Sequence, residues 1–108
     1  MKLEIDEKQG ENASRLTLSG VVNIHTAVQL RQRIKPMLND GNREIHIDLN
    51  AVKFIDSAGL ATLIEGLQWS RAGENRRFVL SGLNENVRDI FELAKLDTIF
   101  EIEDGKIA

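Results

Sequence analysis

A small hydroxyl stands between an apolar segment and a helix-like segment in FIDSAGLATLIEGL, residues 54–67. Ser57 follows Asp56 and precedes two small residues, Ala58 and Gly59. Serine is a good helix N-cap because its hydroxyl accepts from the free amides of the first turn, typically contributing about 1 kcal/mol. A helix N-terminus can also hold a phosphate, since it offers amide donors and partial positive charge. Ser57 is therefore either a structural cap or an acceptor whose phosphorylation adds about −1.5 to −2 charges beside Asp56.

Catalytic and metal-binding patterns are missing around this serine. The sequence IDSAG departs from the G-x-S-x-G elbow of serine hydrolases at its first position. His25 and His46 have no second ligand at helical i,i+4 spacing, there is no cysteine, and His46 reads as an ordinary strand side chain. The phosphate-binding patterns GxxxxGKS/T and GxGxxG do not occur. We expect no enzyme, no metal and no cofactor; a small hydrolase that uses Ser57 is the least favoured alternative.

The length and the net charge of the chain limit the classes of protein to which it can belong. The chain has 108 residues, 42% of them hydrophobic, which suits one globular domain without an evident internal boundary. Its formal net charge is −3 and its 14 basic residues are scattered, so nucleic acid is a poor partner. No apolar run is long enough to span a membrane, and MKLEIDEKQG lacks the apolar region of a signal peptide. Together with the absence of cysteine, this predicts a cytoplasmic protein that does not insert into membranes.

Alternating apolar residues predict the strands. Leu3 and Ile5, and then Leu16 and Leu18, flank the turn-forming EKQGEN, which predicts an N-terminal hairpin whose second strand ends at Gly20. Three later segments predict further strands, the last of them short: REIHIDLNAV, RFVLSGL and TIFEI.

The first predicted helix lies in NIHTAVQLRQRIKPMLNDG, residues 23–41. Thr26 would cap it and Gly41 would end it, while Pro36 is expected to kink it or end it early. The apolar residues at helical spacing, which we expect to face the core, are Val28, Leu30, Ile34, Met37 and Leu38.

A second helix follows Ser57 and a third follows Asn84, a good N-cap. In the second, an apolar face of Leu60, Ile64 and Leu67 leaves Thr62, Glu65 and Trp69 on the opposite side. An exposed tryptophan is typical of an interface, which makes Trp69 a candidate contact, although folding of its ring over neighbouring apolar stems is slightly favoured. The third helix has one apolar stripe, formed by Val87, Ile90, Phe91 and Ala94.

The predicted order is β-β-α-β-α-β-α with a possible final strand. Strands that alternate with helices imply right-handed crossovers and a partly parallel sheet. We therefore predict the α/β class, as a single domain with a mixed sheet of four to five strands covered by three to four helices.

Three segments in order resemble one known family. IDLNAVKFIDSAGLATLIEGL is similar to the signature of STAS domains, specifically of the bacterial anti-sigma factor antagonists, in which an Asp-Ser pair follows a buried strand and opens a helix. LSGVVNIHTAVQLRQRI and NENVRDIFELAKLDTIF resemble the segment after the family's second strand and its last helix. The resemblance is strongest over residues 14–102 and implies a single STAS domain over residues 1–108.

The resemblance assigns roles to individual residues. It places the phosphoacceptor on Ser57, its acidic neighbour on Asp56, and small residues that let a partner approach on Ala58 and Gly59. The family's loop beside that serine falls on Asn23, Ile24, His25 and Thr26, and Thr62 and Trp69 complete the predicted partner-binding set. Two positions depart from the family pattern: Asn23 stands where many members have Asp, and Ala58 where many have a second hydroxyl.

The resemblance also implies a function. The unphosphorylated protein would bind an anti-sigma factor that is also a serine kinase of the histidine-kinase-like ATPase fold, and a sigma factor would be released. Phosphorylation of Ser57 by that kinase would abolish binding, and a PP2C-type phosphatase would reverse it. The alternative is a STAS accessory subunit of another complex, such as a lipid-transporting ABC system, without a phospho-switch.

Overall fold

A computed structural model describes residues 2–39, 43–73 and 76–103. Its helices and strands follow the predicted order, and the final short strand is present. The elements are β1 (Leu3–Gln9), β2 (Ala13–Val22), α1 (Ala27–Asn39), β3 (Glu44–Ile55), α2 (Ser57–Arg71), β4 (Arg77–Ser81), α3 (Glu85–Leu93) and β5 (Glu101–Glu103). None of the helices in these ranges is long and apolar enough to cross a membrane.

The five strands form one mixed sheet in the order β1-β2-β3-β4-β5. β1 pairs antiparallel with β2, as the predicted hairpin requires, and each later pair is parallel. Parallel neighbours end at the same edge of a sheet. Val22 and Ile55, the last residues of β2 and β3, are register partners, so the segments that follow these two strands emerge side by side.

The core lies on one face of the sheet. Alternate residues of the central strands are buried together with residues from all three helices, which confirms the α/β class with helices covering the sheet. The strand residues in this core include Leu16, Leu18, Ile45, Ile47, Leu49, Phe78 and Leu80. The intervening positions carry polar groups that pair with one another, as in the contact of 3.7 Å between Arg15 and Asp48. The sheet therefore has one packed face and one face lined mainly by polar side chains.

The prediction that β2 ends at Gly20 is wrong. Gly20 has a φ of +113°, which only glycine adopts without strain, and an added Cβ would lie 2.2 Å from the carbonyl oxygen of Lys2. The Val21 amide donates to that oxygen at 3.1 Å. Glycine thus lets the strand pass close to the N-terminal backbone and continue to Val22, where the turn that leads to α1 begins.

Helix α1 differs from its prediction in two respects. It begins directly after Thr26, as expected, and it continues through Pro36 to Asn39, so of the two alternatives at Pro36, a kink or an early end, the early end is wrong. Val28 is 55% exposed and not part of the core, because it lies on the side of the helix opposite to buried Ala27 and Leu30. The predicted stop at Gly41 lies outside the described residues.

The third helix begins where the sequence predicts. The Asn84 side-chain oxygen accepts from the Val87 amide at 3.0 Å, which confirms the N-cap. Its side-chain nitrogen donates to the Val52 carbonyl at 2.6 Å, so the cap also ties α3 to β3. Val87 and Phe91 are buried as predicted, whereas Ala94 is exposed.

Candidate functional site

The candidate site lies where β2 and β3 end. The Asp56 amide donates to the Val22 carbonyl at 3.0 Å, so the start of α2 is joined directly to the end of β2. The turn of residues 23–26 leaves β2 at this point and leads into α1. The fold therefore brings together two segments that are about thirty residues apart in sequence, as the resemblance to the STAS family implies.

Asp56, and not Ser57, caps helix α2, which corrects the structural role considered for the serine. One carboxylate oxygen of Asp56 accepts from the Gly59 amide at 3.0 Å. The other accepts from the Ile24 amide at 3.1 Å. One carboxylate thus holds both the helix N-terminus and the neighbouring turn in place.

Ser57 is the first residue of α2 and is exposed. Because Asp56 supplies the cap, the Ser57 hydroxyl is not needed to satisfy the helix, and it has no hydrogen-bond partner within the described ranges. The hydroxyl is accessible from solvent beside amide groups of the first helical turn. This geometry suits a phosphoacceptor, since a helix N-terminus stabilises negative charge.

The turn of residues 23–26 is held by its own side chains. The Asn23 side-chain oxygen accepts from the amides of His25 at 2.9 Å and Thr26 at 3.1 Å. The Thr26 hydroxyl accepts from the Asn23 amide at 2.9 Å and donates to the Val21 carbonyl at 2.7 Å. Asn23 thus performs a task that needs an oxygen acceptor but no negative charge, and buried Thr26 is structural. Ile24 and His25 are left exposed.

Gly59 faces the interior rather than a partner. It is buried, and a Cβ there would lie 2.6 Å from the Ile55 side chain and 2.8 and 2.9 Å from the Cγ1 and carbonyl oxygen of Val22. Its small size therefore lets α2 pack against the ends of β2 and β3. Ala58 is half-buried, and its carbonyl accepts from the Thr62 hydroxyl at 3.0 Å.

The predicted apolar face of α2 is right for Leu60, Ile64 and Leu67, which pack against or within the core. The position predicted for Thr62 is wrong. Thr62 is only 5% exposed and lies on the packed side, so it does not belong to an accessible surface. The buried residues are Gly59, Thr62, Leu63, Gly66, Leu67 and Ser70. Small residues let this face approach the sheet closely: at Gly66 an added Cβ would lie 2.8 Å from the Phe78 ring. A prediction that follows only the largest apolar residues misses such a face.

Trp69 lies near the far end of α2 from Ser57 and packs partly against the core. The charged groups of Arg31 and Lys35, both from α1, lie 5.8 and 5.6 Å from its ring centroid. Arg31 also pairs with Glu65 at 3.3 Å. These contacts agree with the favoured interpretation, in which the ring covers neighbouring side chains, and they place Trp69 apart from the Ser57 site.

Several other titratable groups belong to the strands of the sheet and pair with one another. His46 is a β3 side chain, as predicted, with its Nε2 3.2 Å from a Glu44 carboxylate oxygen. Arg77 hydrogen-bonds to Glu101 and thereby lowers the pKa of that carboxyl below its ordinary value of 4.5. In the parts of the chain that the structure describes, no three His, Cys, Asp or Glu side chains are grouped to hold a metal ion.

Two exposed apolar residues near this site were missed by sequence reasoning. Phe54 is 50% exposed and lies two residues before Asp56, while Val28 was assigned to the core. Phe54 breaks the alternation of β3, because the pairing of β2 with β3 shifts register between Gly20 and Val21. A shift of this kind leaves no mark in the pattern of apolar residues.

Comparison with known proteins agrees with the fold described above. A family model described as Mlab, STAS domain, matches residues 5–102. An anti-sigma-B factor antagonist of Staphylococcus aureus (strain NCTC 8325 / PS 47) is 24% identical over 105 residues, which cover 97% of this chain and 96% of that protein. The crystal structure of an anti-sigma factor antagonist from Mycobacterium paratuberculosis is 26% identical, with a TM-score of 0.84 over 94% of this chain and 85% of its own.

The fold is shared more widely still. The Bacillus cell fate determinant SpoIIAA in its phosphorylated form has a TM-score of 0.73 and 17% identity, over 94% of this chain and 92% of its own. The family model spans most of the chain, and the relatives above match it over nearly their whole lengths. The chain therefore belongs to the STAS domain family.

Proposed function

We propose that this chain is an anti-sigma factor antagonist, like the relatives it resembles, and that it is switched by phosphorylation of Ser57. In its unphosphorylated form it binds an anti-sigma factor that is also a serine kinase of the histidine-kinase-like ATPase fold, and a sigma factor is released. The observation that carries this proposal is the exposed Ser57 hydroxyl at the start of α2, which is free because Asp56 caps the helix. Because the proposed partner uses ATP and acts on a sigma factor, the proposed location of this function is the cytoplasm.

The phosphoryl transfer needs only the hydroxyl from this chain. The Ser57 oxygen attacks the γ-phosphorus of ATP, the bond from that phosphorus to the β,γ-bridging oxygen breaks, and ADP leaves. The hydroxyl proton passes to a base of the kinase, which also holds ATP and magnesium. Asp56 is a positioning residue here, since both of its carboxylate oxygens already accept amide hydrogen bonds. A PP2C-type phosphatase reverses the step by adding water to the phosphoester, which releases inorganic phosphate.

A phosphate on Ser57 opposes docking by its charge. It adds about −1.5 to −2 charges to a surface that already carries the Asp56 carboxylate. The neighbouring turn carries an exposed apolar residue, Ile24. Leaving such a group unpaired in an interface costs about 3–5 kcal/mol, because its hydration is lost without replacement. Since each 1.4 kcal/mol corresponds to a factor of ten, phosphorylation is expected to weaken binding at least about 100-fold.

The test measures binding and phosphorylation separately. The purified anti-sigma kinase from the organism that encodes this chain is titrated calorimetrically with wild type, Ser57→Ala and Ser57→Asp. Ser57→Ala should bind like wild type but accept no phosphoryl group in mass spectrometry, whereas Ser57→Asp should bind at least tenfold more weakly. Both should keep the fold, since Asp56 rather than Ser57 caps α2.

A matched control adds the same charge elsewhere. Thr98 is an exposed hydroxyl residue in the segment between α3 and β5, so Thr98→Asp should bind like wild type. Equal affinity of wild type and Ser57→Asp, together with phosphoryl incorporation that survives in Ser57→Ala, would refute the switch. Co-purification with permease and ATPase subunits, with no phosphoryl transfer, would favour the accessory-subunit alternative.

A further inference from the structure

Exposed apolar side chains are concentrated near Ser57. Among the described residues, five large apolar side chains are exposed: Ile24 (71%), Val28 (55%), Phe54 (50%), Leu93 (84%) and Ile99 (44%). The first three belong to segments at the edge of the sheet where β2 and β3 end. Ile24 lies in the turn whose amide Asp56 holds, Val28 lies in the first turn of α1, and Phe54 lies just before Asp56. We call Ile24, Val28 and Phe54 the apolar rim.

The fold does not require apolar residues at these positions. Ile24 contributes its backbone amide to Asp56, which any residue other than proline could do. Val28 is absent from the core cluster. Phe54 lies near the end of β3, whose non-core side chains nearer its start are polar, namely Glu44, His46 and Asp48. Single exposed apolar residues are common, but three in segments at the same edge of the sheet as Ser57 indicate an interaction surface.

The Asp56 carboxylate near the rim favours a heterologous partner over a second copy of this chain. With whole-residue areas of about 150–200 Å², the three exposed fractions amount to roughly 300 Å². A stable interface buries about 800 Å² per partner, so the rim can form only the central part of a larger contact. A two-fold contact centred on Ser57 would also bring together the Asp56 carboxylates of both copies, which repel each other.

We propose that the apolar rim supplies most of the affinity for the anti-sigma kinase, whose docking face offers a complementary apolar recess. This inference rests on the proposed function and deepens it, because it separates two roles at one site. The rim holds the kinase and presents Ser57 to it, whereas the phosphoryl group on Ser57 later makes the same contact unfavourable. Interface energy is typically concentrated in a few such central side chains.

The test replaces rim residues and measures docking and phosphoryl transfer. With the purified anti-sigma kinase, Phe54→Ala should raise the Kd about 10–100-fold, and Val28→Gln should raise it about tenfold. Leu93→Ala, at the far end of α3, is the matched control for loss of an exposed apolar side chain and should change the Kd less than twofold. Phe54→Ala should raise the KM for phosphorylation of Ser57 and leave kcat unchanged, since the acceptor hydroxyl is intact.

The outcomes distinguish the rim from the proposed function. If the wild type neither binds the kinase nor accepts a phosphoryl group, both the proposed function and the role of the rim are refuted. If the wild type binds and Ser57→Asp binds more weakly, but Phe54→Ala and Val28→Gln bind like wild type, the role of the rim is refuted and the switch at Ser57 is retained. A wild-type dimer in analytical ultracentrifugation that dissociates in Phe54→Ala, with kinase binding unchanged, makes the rim a contact between copies and also overturns the inference. Circular dichroism of each variant should match wild type, because these side chains lie outside the core.

Discussion

Replacement of Asp56 can separate the two hydrogen bonds that its carboxylate accepts. Asp56→Asn should keep the bond to the Gly59 amide, because asparagine is as good an N-cap as aspartate. It should lose the bond to the Ile24 amide, because the second oxygen becomes an amide nitrogen, which cannot accept. Asp56→Ala should lose both bonds, so the two variants differ by the cap alone.

The expected losses follow from these contacts. Removal of an N-cap typically costs about 1 kcal/mol. A hydrogen bond to a charged group contributes about 1.5–3 kcal/mol when sheltered, and we take about 1 kcal/mol here because the Ile24 amide is exposed to water. Asp56→Asn should therefore lower the free energy of unfolding by about 1 kcal/mol, and Asp56→Ala by about 2 kcal/mol.

Urea unfolding gives the free energies, and native-state hydrogen exchange identifies the bonds. In Asp56→Asn the Ile24 amide should exchange faster while the Gly59 amide keeps its protection; in Asp56→Ala both should exchange faster. Equal destabilisation by the two substitutions, or an Ile24 amide that exchanges as in wild type, would refute the assignment of Asp56 as the link between turn and helix. Kinase binding should weaken in Asp56→Asn as well, since Ile24 is no longer held beside Ser57.

Two further predictions concern the polar face of the sheet and the packing beneath Ser57. Arg77→Met should raise the pKa of Glu101 toward 4.5, measured by carboxyl ¹³C titration; because a lowered pKa stabilises the folded state above the unfolded value, the stability advantage of wild type should shrink as the pH falls below 4.5. An unchanged Glu101 titration would contradict this. Gly59→Ala should destabilise by about 1–3 kcal/mol in urea unfolding despite the better helix propensity of alanine, because the added Cβ meets the Val22 carbonyl. A gain in stability would contradict this prediction and would show that α2 can move away from Val22 to make room for the added Cβ.

Much of the fold was predictable because its signals are local. The alternation of Ile45, Ile47 and Leu49 marks a strand with one buried face, and Asn84 marks the start of a helix. The resemblance of the Asp56–Ser57 segment to the STAS signature indicated the candidate site, and the structure places the turn of residues 23–26 beside it.

The errors arise where long-range packing overrides the local signal. Aspartate and serine are both good N-caps, and the choice of Asp56 accompanies its amide bond to Val22, thirty-four residues earlier. Thr62 is buried because glycines let α2 approach the sheet, whereas Val28 and Phe54 are apolar yet exposed. Hydrophobicity alone cannot distinguish a core residue from an interface residue.

By itself, the sequence determined the order of elements, the single domain and the position of the serine at the start of a helix. These features depend on the spacing of apolar residues and on helix-capping residues, which are properties of neighbouring positions in the chain. The tertiary structure alone decided that Asp56 links the turn to α2, that the Ser57 hydroxyl is left free, and that Ile24, Val28 and Phe54 share an edge of the sheet. These features depend on the register of parallel strands, which brings distant segments together through contacts that no local pattern records.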